Sequence, residues 1–462
     1  MKKLLLIMVL LAPTVLIAQP GTVKHSPLDY MWKNLGEPGF STGESEYTSL
    51  AFSPAGEPWV AFSDWGAGRK ARVMKFDGSA WVNVGGEGLS ADTACFTSLA
   101  FSPSGDAYVA FEDFANSYKA SVMKFDGTGW VYVGTPGFSP AQAHYVDLVF
   151  NSAGEPFVAF RDWANGRKAT VMKFDGSGWV YVGSPGFSAG LVTFLSIAIS
   201  PSGDPYVAYQ DYGHLQKGTV MKFNGTDWEP VGPAGFTEGQ AICTKLAISP
   251  AGEPYLTFSD EVVSFKISVS RFDGIIWEEV GEKGFSIGTI EYPDILFGPS
   301  GRPYVAFEDY GLGGKASLMT YEGFDWVAVG EMGFTAAEAD YPSLAFSPDG
   351  NPCVAFEDYG NDERATVMTF DSVFTSISET SADRMVISTV HEGTILSLEF
   401  NDQWEGPRSI EIYQMTGKIL YSTKSSDDKI SINIEAFSPG IYIIKVFSKE
   451  MSCTRRFINP GK

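Results

Sequence analysis

An aspartate followed by an aromatic residue, with a base six positions after the aspartate, recurs along this chain of 462 residues. The charged pair could hydrogen-bond a ligand while the aromatic face stacks on the C–H surface of a sugar. The six complete sets are Asp64, Trp65 and Lys70; Asp113, Phe114 and Lys119; Asp162, Trp163 and Lys168; Asp211, Tyr212 and Lys217; Asp309, Tyr310 and Lys315; and Asp358, Tyr359 and Arg364. A seventh set has Glu261 in the aromatic position.

These sets are 49 residues apart, and other residues share that spacing. KFDGSGWVYVGSPGFS at 173–188 rewrites KFDGTGWVYVGTPGFS at 124–139 with two changes. The repeated tryptophans are Trp32, Trp81, Trp130, Trp179, Trp228, Trp277 and Trp326. A period of about 20–50 residues is typical of a solenoid, a propeller or an array. We expect the tryptophans to pack between neighbouring units.

Each unit predicts four short strands. In the unit 179–227 these are WVYVG, LSIAIS, PYVAYQD and KGTVMKF, separated by turn residues such as PSGD and Asn-Gly. Four antiparallel strands in one repeat predict a propeller blade. From the hub outward we name the strands A (SLAFS type), B (PYVAF type), C (ATVMKF type) and D (WVYVG type).

The two ends of the repeat array are complementary. The first strand, MWKNLG at 31–36, is a D strand without A, B or C before it, and the last unit has A, B and C but no D. A closed ring would use that complementarity because it removes exposed sheet edges. The sequence therefore predicts an all-β fold with a seven-bladed propeller, in which residues 30–36 pair with 364–370.

The chain divides into four segments. Residues 1–18 carry two lysines and an apolar run, which predicts a secretory signal peptide. The propeller is expected at 19–374, and 375–384 is a polar linker. Alternating strands at 394–400, 409–423, 430–447 and 453–459 predict a small β-sandwich domain at 385–462.

The C-terminal segment also resembles a known family. IEIYQMTGKIL contains Gly417 and Lys418 at its turn, SPGIYIIKV contains Gly440 and Tyr442, and RRFI follows in the last strand. In order and spacing these residues resemble the type A C-terminal sorting domain of the type IX secretion system of Bacteroidetes. The resemblance implies export across two membranes, the secretion machinery as a partner, and a location outside the cell or on its outer surface.

Composition excludes some functions. The formal net charge of −22 argues against nucleic acid and against anionic lipid surfaces. No apolar segment after the N-terminus is long enough to span a bilayer. The cysteines at 95, 243, 353 and 453 and the four histidines show no metal-ligand spacing, so we expect free or buried thiols, no metal and no cofactor. We expect a monomer.

Two interpretations of the repeated aspartate, aromatic and base stay open. They could form a ring of sugar-sized pockets, together with the aromatics that precede strand A, or they could be structural pairs and wedges. The aromatics preceding strand A are Tyr47, Phe96, Tyr145, Phe194, Tyr292 and Tyr341, with Cys243 in the seventh place.

Catalysis is disfavoured, because a catalytic site is singular and should break the repeat with new acids or bases. The clearest break, at 228–276, loses aromatics and gains little chemistry. The sequence favours a module that binds glycan or surface protein over an enzyme. A polysaccharide hydrolase or lyase and an adhesion scaffold are the alternatives.

Overall fold

A computed structural model describes residues 29–373, 385–390, 395–400, 407–414, 419–434, 437, 440–447 and 452–459. The contacts between residues divide the chain into two compact units, with the division between Val373 and Phe374. The predicted signal peptide, the linker 375–384, and Gly417 and Lys418 lie outside the described residues. Within the described part of the chain there is no helix of the length and apolarity needed to cross a membrane.

The first unit consists of seven four-stranded antiparallel sheets. The A strands are β2 (Ser45–Phe52), β6 (Ala94–Phe101), β10 (Ala143–Phe150), β14 (Val192–Ile199), β18 (Ala241–Ile248), β22 (Ile290–Phe297) and β26 (Ala339–Phe346). The B strands are β3 (Pro58–Asp64), β7 (Ala107–Asp113), β11 (Pro156–Asp162), β15 (Pro205–Asp211), β19 (Pro254–Asp260), β23 (Pro303–Asp309) and β27 (Pro352–Asp358). We number the blades 1 to 7 by these strands.

The outer half of each blade holds the C and D strands. The C strands are β4 (Lys70–Phe76), β8 (Lys119–Phe125), β12 (Lys168–Phe174), β16 (Lys217–Phe223), β20 (Lys266–Phe272), β24 (Lys315–Tyr321) and β28 (Arg364–Val373). The D strands are β5 (Trp81–Asn83), β9 (Trp130–Tyr132), β13 (Trp179–Tyr181), β17 (Trp228–Pro230), β21 (Trp277–Glu279), β25 (Trp326–Ala328) and, in blade 7, β1 (Asp29–Asn34).

A short 3-10 turn joins strands B and C in every blade. The turns are Trp65–Ala67, Phe114–Asn116, Trp163–Asn165, Tyr212–His214, Glu261–Val263, Tyr310–Leu312 and Tyr359–Asn361. Each turn begins directly after the repeated aspartate, which is its N-cap residue. The turn therefore presents the aromatic residue that follows the aspartate.

The N-terminal strand closes the ring, as the sequence predicts. Strand β1 pairs antiparallel with β28 from Asp29 opposite Val373 to Asn34 opposite Met368. Near the hub, the backbone N–H of Leu50 in blade 1 donates to Ser343 Oγ in blade 7 over 3.0 Å. The first unit is thus a closed seven-bladed β-propeller.

The repeated tryptophans join neighbouring blades, which confirms their prediction as inter-blade core. Trp179 Nε1, for example, donates to the carbonyl oxygen of Val133 in the preceding blade over 2.8 Å, and its ring stacks on Phe138 at a centroid distance of 4.1 Å. Trp32 does the same across the closure, with Val329 and Phe334.

The second unit is a β-sandwich. One sheet has the order β29 (Met385–Val390), β30 (Ile395–Phe400), β33 (Lys429–Asn433), and the other β32 (Ile419–Ser425), β31 (Arg408–Gln414), β34 (Gly440–Phe447), β35 (Ser452–Asn459). Both sheets contribute to one apolar core that includes Leu398, Ile412 and Tyr442. Gly440, the first residue of β34, lies opposite Asn459 of the last strand.

Candidate functional site

The D–A linkers and the B–C loops form one face of the propeller, which we call the loop face. In all seven blades a backbone N–H of the B–C loop donates to a linker carbonyl, as Trp65 N does to Glu44 O over 2.9 Å. These bonds hold each B–C loop against a D–A linker. The loop face therefore carries all of the ligand-binding residues that the sequence predicts in the propeller.

The repeated aspartates serve their own turns. They are at most 5% exposed, and in six blades one carboxylate oxygen accepts the N–H two residues later. The other oxygen commonly accepts from a hydroxyl in strand C, such as Thr170 Oγ1 to Asp162 over 3.0 Å. Asp64 instead contacts Arg72, and Asp309 accepts from Ile287 N. The aspartate carboxylates thus join the turn to its neighbouring segments, while Oδ1 of Asp113 is buried without a hydrogen-bond partner.

Each repeated base lies opposite its aspartate in the strand register, but the two side chains do not form an ion pair. Asp64 lies opposite Lys70 and Asp358 opposite Arg364 in the strand register. Among residues 29–373, however, no salt bridge joins the aspartate and base of one set; the buried ion pair of Asp64 is with Arg72. The lysine stems lie along linker glycines, as Lys70 does at Gly88 and Lys315 at Gly333. The structural ion pair that the sequence left open is not formed.

The aromatics that follow the aspartates are on the surface. Trp65, Trp163, Tyr212, Tyr310 and Tyr359 are between 38% and 47% exposed, and Phe114 is half-buried. Arg69 lies 4.4 Å from the ring centroid of Trp65, and Arg167 lies 4.2 Å from that of Trp163. These aromatics are not wedges between blades.

The aromatics that precede strand A surround the hub. Centroid distances between neighbours are 4.8 Å for Tyr47 and Phe96, 5.1 Å for Phe96 and Tyr145, and 4.4 Å for Tyr292 and Tyr341. All have a positive φ of 46–56°, which is unusual for bulky residues and coincides with a register shift in strand A. Cys243 interrupts this ring with the same backbone conformation.

The aromatics that precede strand A line a central cavity of about 910 Å³. A polar layer, which the sequence analysis missed, lies in this cavity. Ser49, Ser98, Asp147, Lys245, Asp294 and Ser343 line the cavity, and Ser196, at the equivalent position of blade 4, is buried and accepts from Leu246 N. Lys245 Nζ lies 3.8 Å from Asp147 Oδ2, and that carboxylate raises the pKa of Lys245. Burial raises the pKa of Asp294. A column-by-column comparison of the seven repeats would have found these three breaks in a serine column.

A second group is the blade 3 cluster, formed by Glu112, His144, Tyr145, Arg161 and Trp163. Two of its residues, His144 and Arg161, occur at their repeat positions in this blade alone. His144 Nδ1 lies 3.0 Å from Glu112 Oε2, and the His144 ring lies 5.7 Å from the Trp163 ring. Arg161 lies over Tyr145 at 4.9 Å, and its Nε is buried without a hydrogen-bond partner. Burial lowers the pKa of Arg161. The histidine and the arginine break the repeat on the loop face, whereas Tyr145 has the equivalents Tyr47, Tyr292 and Tyr341.

The cysteines add no reactive group to this face. Cys95, Cys243 and Cys353 are free and buried, as expected, while the side chain of Cys453 is outside the described residues. Burial raises the pKa of Cys95 to about 11 and that of Cys243 to about 12. Because the thiolate is the nucleophile, these thiols are poorly suited to covalent chemistry at neutral pH.

Fold and location define the class of the molecule: a seven-bladed β-propeller followed by a sorting domain. Residues 393–459 match the family of secretion system C-terminal sorting domains. The C-terminal segment is therefore a sorting domain of the type IX secretion system, and the protein is secreted or held on the outer cell surface. No curated protein matches the chain.

Several solved structures are similar in fold. A protein of unknown function from Dyadobacter fermentans has 12% identity, covers 74% of this chain and 99% of its own, and has a TM-score of 0.41. An ulvan polysaccharide lyase bound to -[GlcA(1-4)Rha3S]- has 11% identity, coverages of 73% and 95%, and a TM-score of 0.47. A lectin in complex with alpha methyl fucoside has 14% identity, coverages of 64% and 97%, and a TM-score of 0.42. At such identities the likeness concerns the fold alone.

Proposed function

We propose that the loop face is a multivalent glycan-binding surface of a secreted protein. The observation that carries the proposal is the circle of exposed aromatics Trp65, Trp163, Tyr212, Tyr310 and Tyr359, each at the same position of a different blade. Large apolar rings grouped on one exposed face commonly mark a binding surface. Aromatic faces suit the C–H surface of a sugar, which supports glycan as the ligand.

Two arginines support a pre-oriented stacking surface. Arg69 and Arg167 each cover one side of a tryptophan, at 4.4 Å and 4.2 Å from the ring centroids. A cation over the ring face favours one orientation of the side chain. Trp65 and Trp163 would then lose little conformational freedom when a sugar binds, which lowers the entropic cost of binding.

The blade 3 cluster supports an acidic sugar as the preferred ligand of one pocket. Arg161 offers a buried Nε without a hydrogen-bond partner, and His144 and Trp163 lie beside each other. Arg161 and His144 place two basic side chains in one blade, although the protein as a whole has a net charge of −22. A carboxylate or sulfate on the sugar would give Arg161 the acceptor that it lacks.

The pockets should be individually weak and should act together. One sugar stacked on one aromatic would bind with a Kd of about 1 mM, or about 4 kcal/mol. Several pockets on one rigid ring gain from multivalency on a dense glycan surface. Blade 5 should be the weakest, because Cys243 and Glu261 replace both of its aromatics.

A glycan array probed with the full-length protein, followed by calorimetry with the best ligand, tests this function. Trp65→Ala and Trp163→Ala should each lower the apparent affinity, and the double variant should lower it further while the fold is retained. Phe324→Ala is the matched control, because Phe324 is 88% exposed in a C–D turn on the opposite face. Folded tryptophan variants that bind like the unsubstituted protein would refute the proposal.

A second candidate function, cleavage of an acidic polysaccharide, is favoured by the blade 3 cluster alone. His144 and Tyr145 offer proton-transfer groups, and Arg161 could neutralise a carboxylate near the reacting carbon. Incubation with uronate-containing polysaccharides, followed by size analysis of the products, tests it. Cleavage that is lost in His144→Ala but retained in Phe324→Ala would support the enzyme, and unchanged polymer length would exclude it for those substrates.

A further inference from the structure

Three carboxylates converge on the loop face between blades 6 and 7. Glu308 is next to last in β23, Glu338 lies just before β26, and Asp340 is the second residue of β26. One oxygen from each lies within 4.8 Å of the other two. Two oxygens bound to one cation at about 2.4 Å lie at most about 4.8 Å apart, so this spacing is compatible with a shared ion.

The group contains a buried carboxylate without partners. Glu308 is 0% exposed, and neither of its oxygens has a hydrogen-bond partner; the same holds for Oδ1 of Asp340. The other oxygen of Asp340 accepts from Tyr359 Oη over 3.4 Å. Burying a carboxylate in this way is costly unless a cation or a proton compensates it.

Two acids at related positions in other blades have such compensation. Glu46, which corresponds to Asp340, pairs with Arg69 at 2.6 Å. Glu112, which corresponds to Glu308, pairs with His144 at 3.0 Å. Within residues 29–373, no salt bridge of that kind includes Glu308. Glu308 therefore lacks the basic partner that Glu112 has at the same repeat position.

Gly314 makes the space in which these acids meet. A Cβ built at Gly314 would lie 2.9 Å from Glu308 Oε1 and 2.7 Å from Glu338 Cγ, which is closer than a real Cβ approaches. The corresponding residues of the other blades all carry side chains: Arg69, Tyr118, Arg167, Gln216, Phe265 and Glu363. Glycine at this one blade thus allows the carboxylates to approach the backbone.

We propose that Glu308, Glu338 and Asp340 bind a divalent cation of the calcium class. All three donors are carboxylate oxygens. Such donors suit hard cations such as calcium better than they suit zinc or copper. Calcium accepts about six to eight oxygens in flexible geometry, so water or ligand hydroxyls could complete three carboxylates. The site lies in blades 6 and 7, whereas the aromatic and cationic residues of the proposed acidic-sugar pocket lie in blade 3. Calcium binding is measured without glycan, so the two proposals can fail separately, although Tyr359 of the proposed glycan surface donates to Asp340.

The test is calcium titration of the full-length protein by calorimetry, together with melting temperatures in calcium and in EDTA. Calcium should bind and raise the melting temperature, and Glu308→Gln should weaken that binding at least about tenfold. Gln210 shows that glutamine is accommodated at this position, since it is 2% exposed in blade 4 and accepts from Thr193 Oγ1. Glu155→Gln, which removes one charge on the opposite face beside Lys173, should bind calcium normally.

A second variant keeps the three charges and changes only their spacing. Gly314→Ala should displace Glu308 and Glu338 and weaken calcium binding, provided that circular dichroism shows an intact fold. A calcium effect that is unchanged in Glu308→Gln overturns the proposal and places the ion elsewhere, for instance at Glu44, Glu357 and Glu363 in the adjacent blade. No calcium effect in the unsubstituted protein also overturns it, and a proton shared between Glu308 and Asp340 is then the occupant.

Discussion

At the scale of single residues, Asp162 shows what a residue repeated in every blade does. Its Oδ1 accepts from Ala164 N over 2.9 Å, and its Oδ2 accepts from Asn165 Nδ2 over 2.7 Å and from Thr170 Oγ1 over 3.0 Å. One carboxylate thus joins the end of strand B, the 3-10 turn and strand C. Lys168, its neighbour in the strand register, makes no ion pair with it among residues 29–373.

We expect Asp162→Ala to lower the free energy of unfolding by about 2–4 kcal/mol, because three donors, among them the buried hydroxyl of Thr170, lose their acceptor. Lys168→Ala should change it by less than about 0.5 kcal/mol, since only a half-exposed stem is removed. Urea unfolding of both variants measures the difference. Equal losses would mean that the aspartate acts through the lysine after all.

The sequence could not decide between architecture and ligand binding for these residues. An aspartate in all seven blades is expected if every turn needs it, and equally if every blade has a pocket. The informative residues were those that vary at one repeat position, such as Asp147, Lys245 and Asp294 among serines. The left-handed backbone of Tyr145 and its equivalents had no sequence signal, because such conformations are normally marked by glycine or asparagine.

At the scale of secondary-structure elements, β1 is the strand whose pairing closes the ring. The sequence predicted its partner from the mismatch of strands at the two ends, and the pairing of β1 with β28 confirms it. The observed pairing extends to Val373, beyond the predicted 370. Internal D strands are limited to three residues by the C–D turn, as in Trp81–Asn83. No turn connects β28 to β1, so both strands continue past that point.

Deleting residues 19–36 should therefore strongly lower the melting temperature. The deletion exposes the outer edge of β28 and removes Trp32, which donates to Val329 O over 2.8 Å and stacks on Phe334 at 3.7 Å. Deleting only 19–28 is the matched control, because it leaves β1 and its pairing intact. Thermal unfolding followed by circular dichroism measures both. An undiminished melting temperature in the longer deletion would contradict closure by β1.

At the scale of the whole molecule, the propeller and the sorting domain have separate cores. The apolar core of the sandwich is made by residues between Leu396 and Val446, and the propeller clusters contain only residues up to Met368. The family match at 393–459 assigns delivery to the second unit, while all residues of the proposed glycan and cation sites belong to the first. Location and ligand binding should therefore respond to different truncations.

Removing residues 376–462 should leave a folded propeller that is not delivered to the outside of the cell. The contacts between residues divide the chain just before this segment, so the propeller loses no strand of its own and should keep its melting temperature. Without the sorting domain, the exported chain should accumulate in the periplasm. Cell fractionation with immunodetection, combined with calcium and glycan binding by the purified fragment, measures delivery and function separately. Normal surface delivery of the truncated protein would show that delivery does not require the sorting domain. An unfolded fragment would show that the propeller needs the second unit in order to fold.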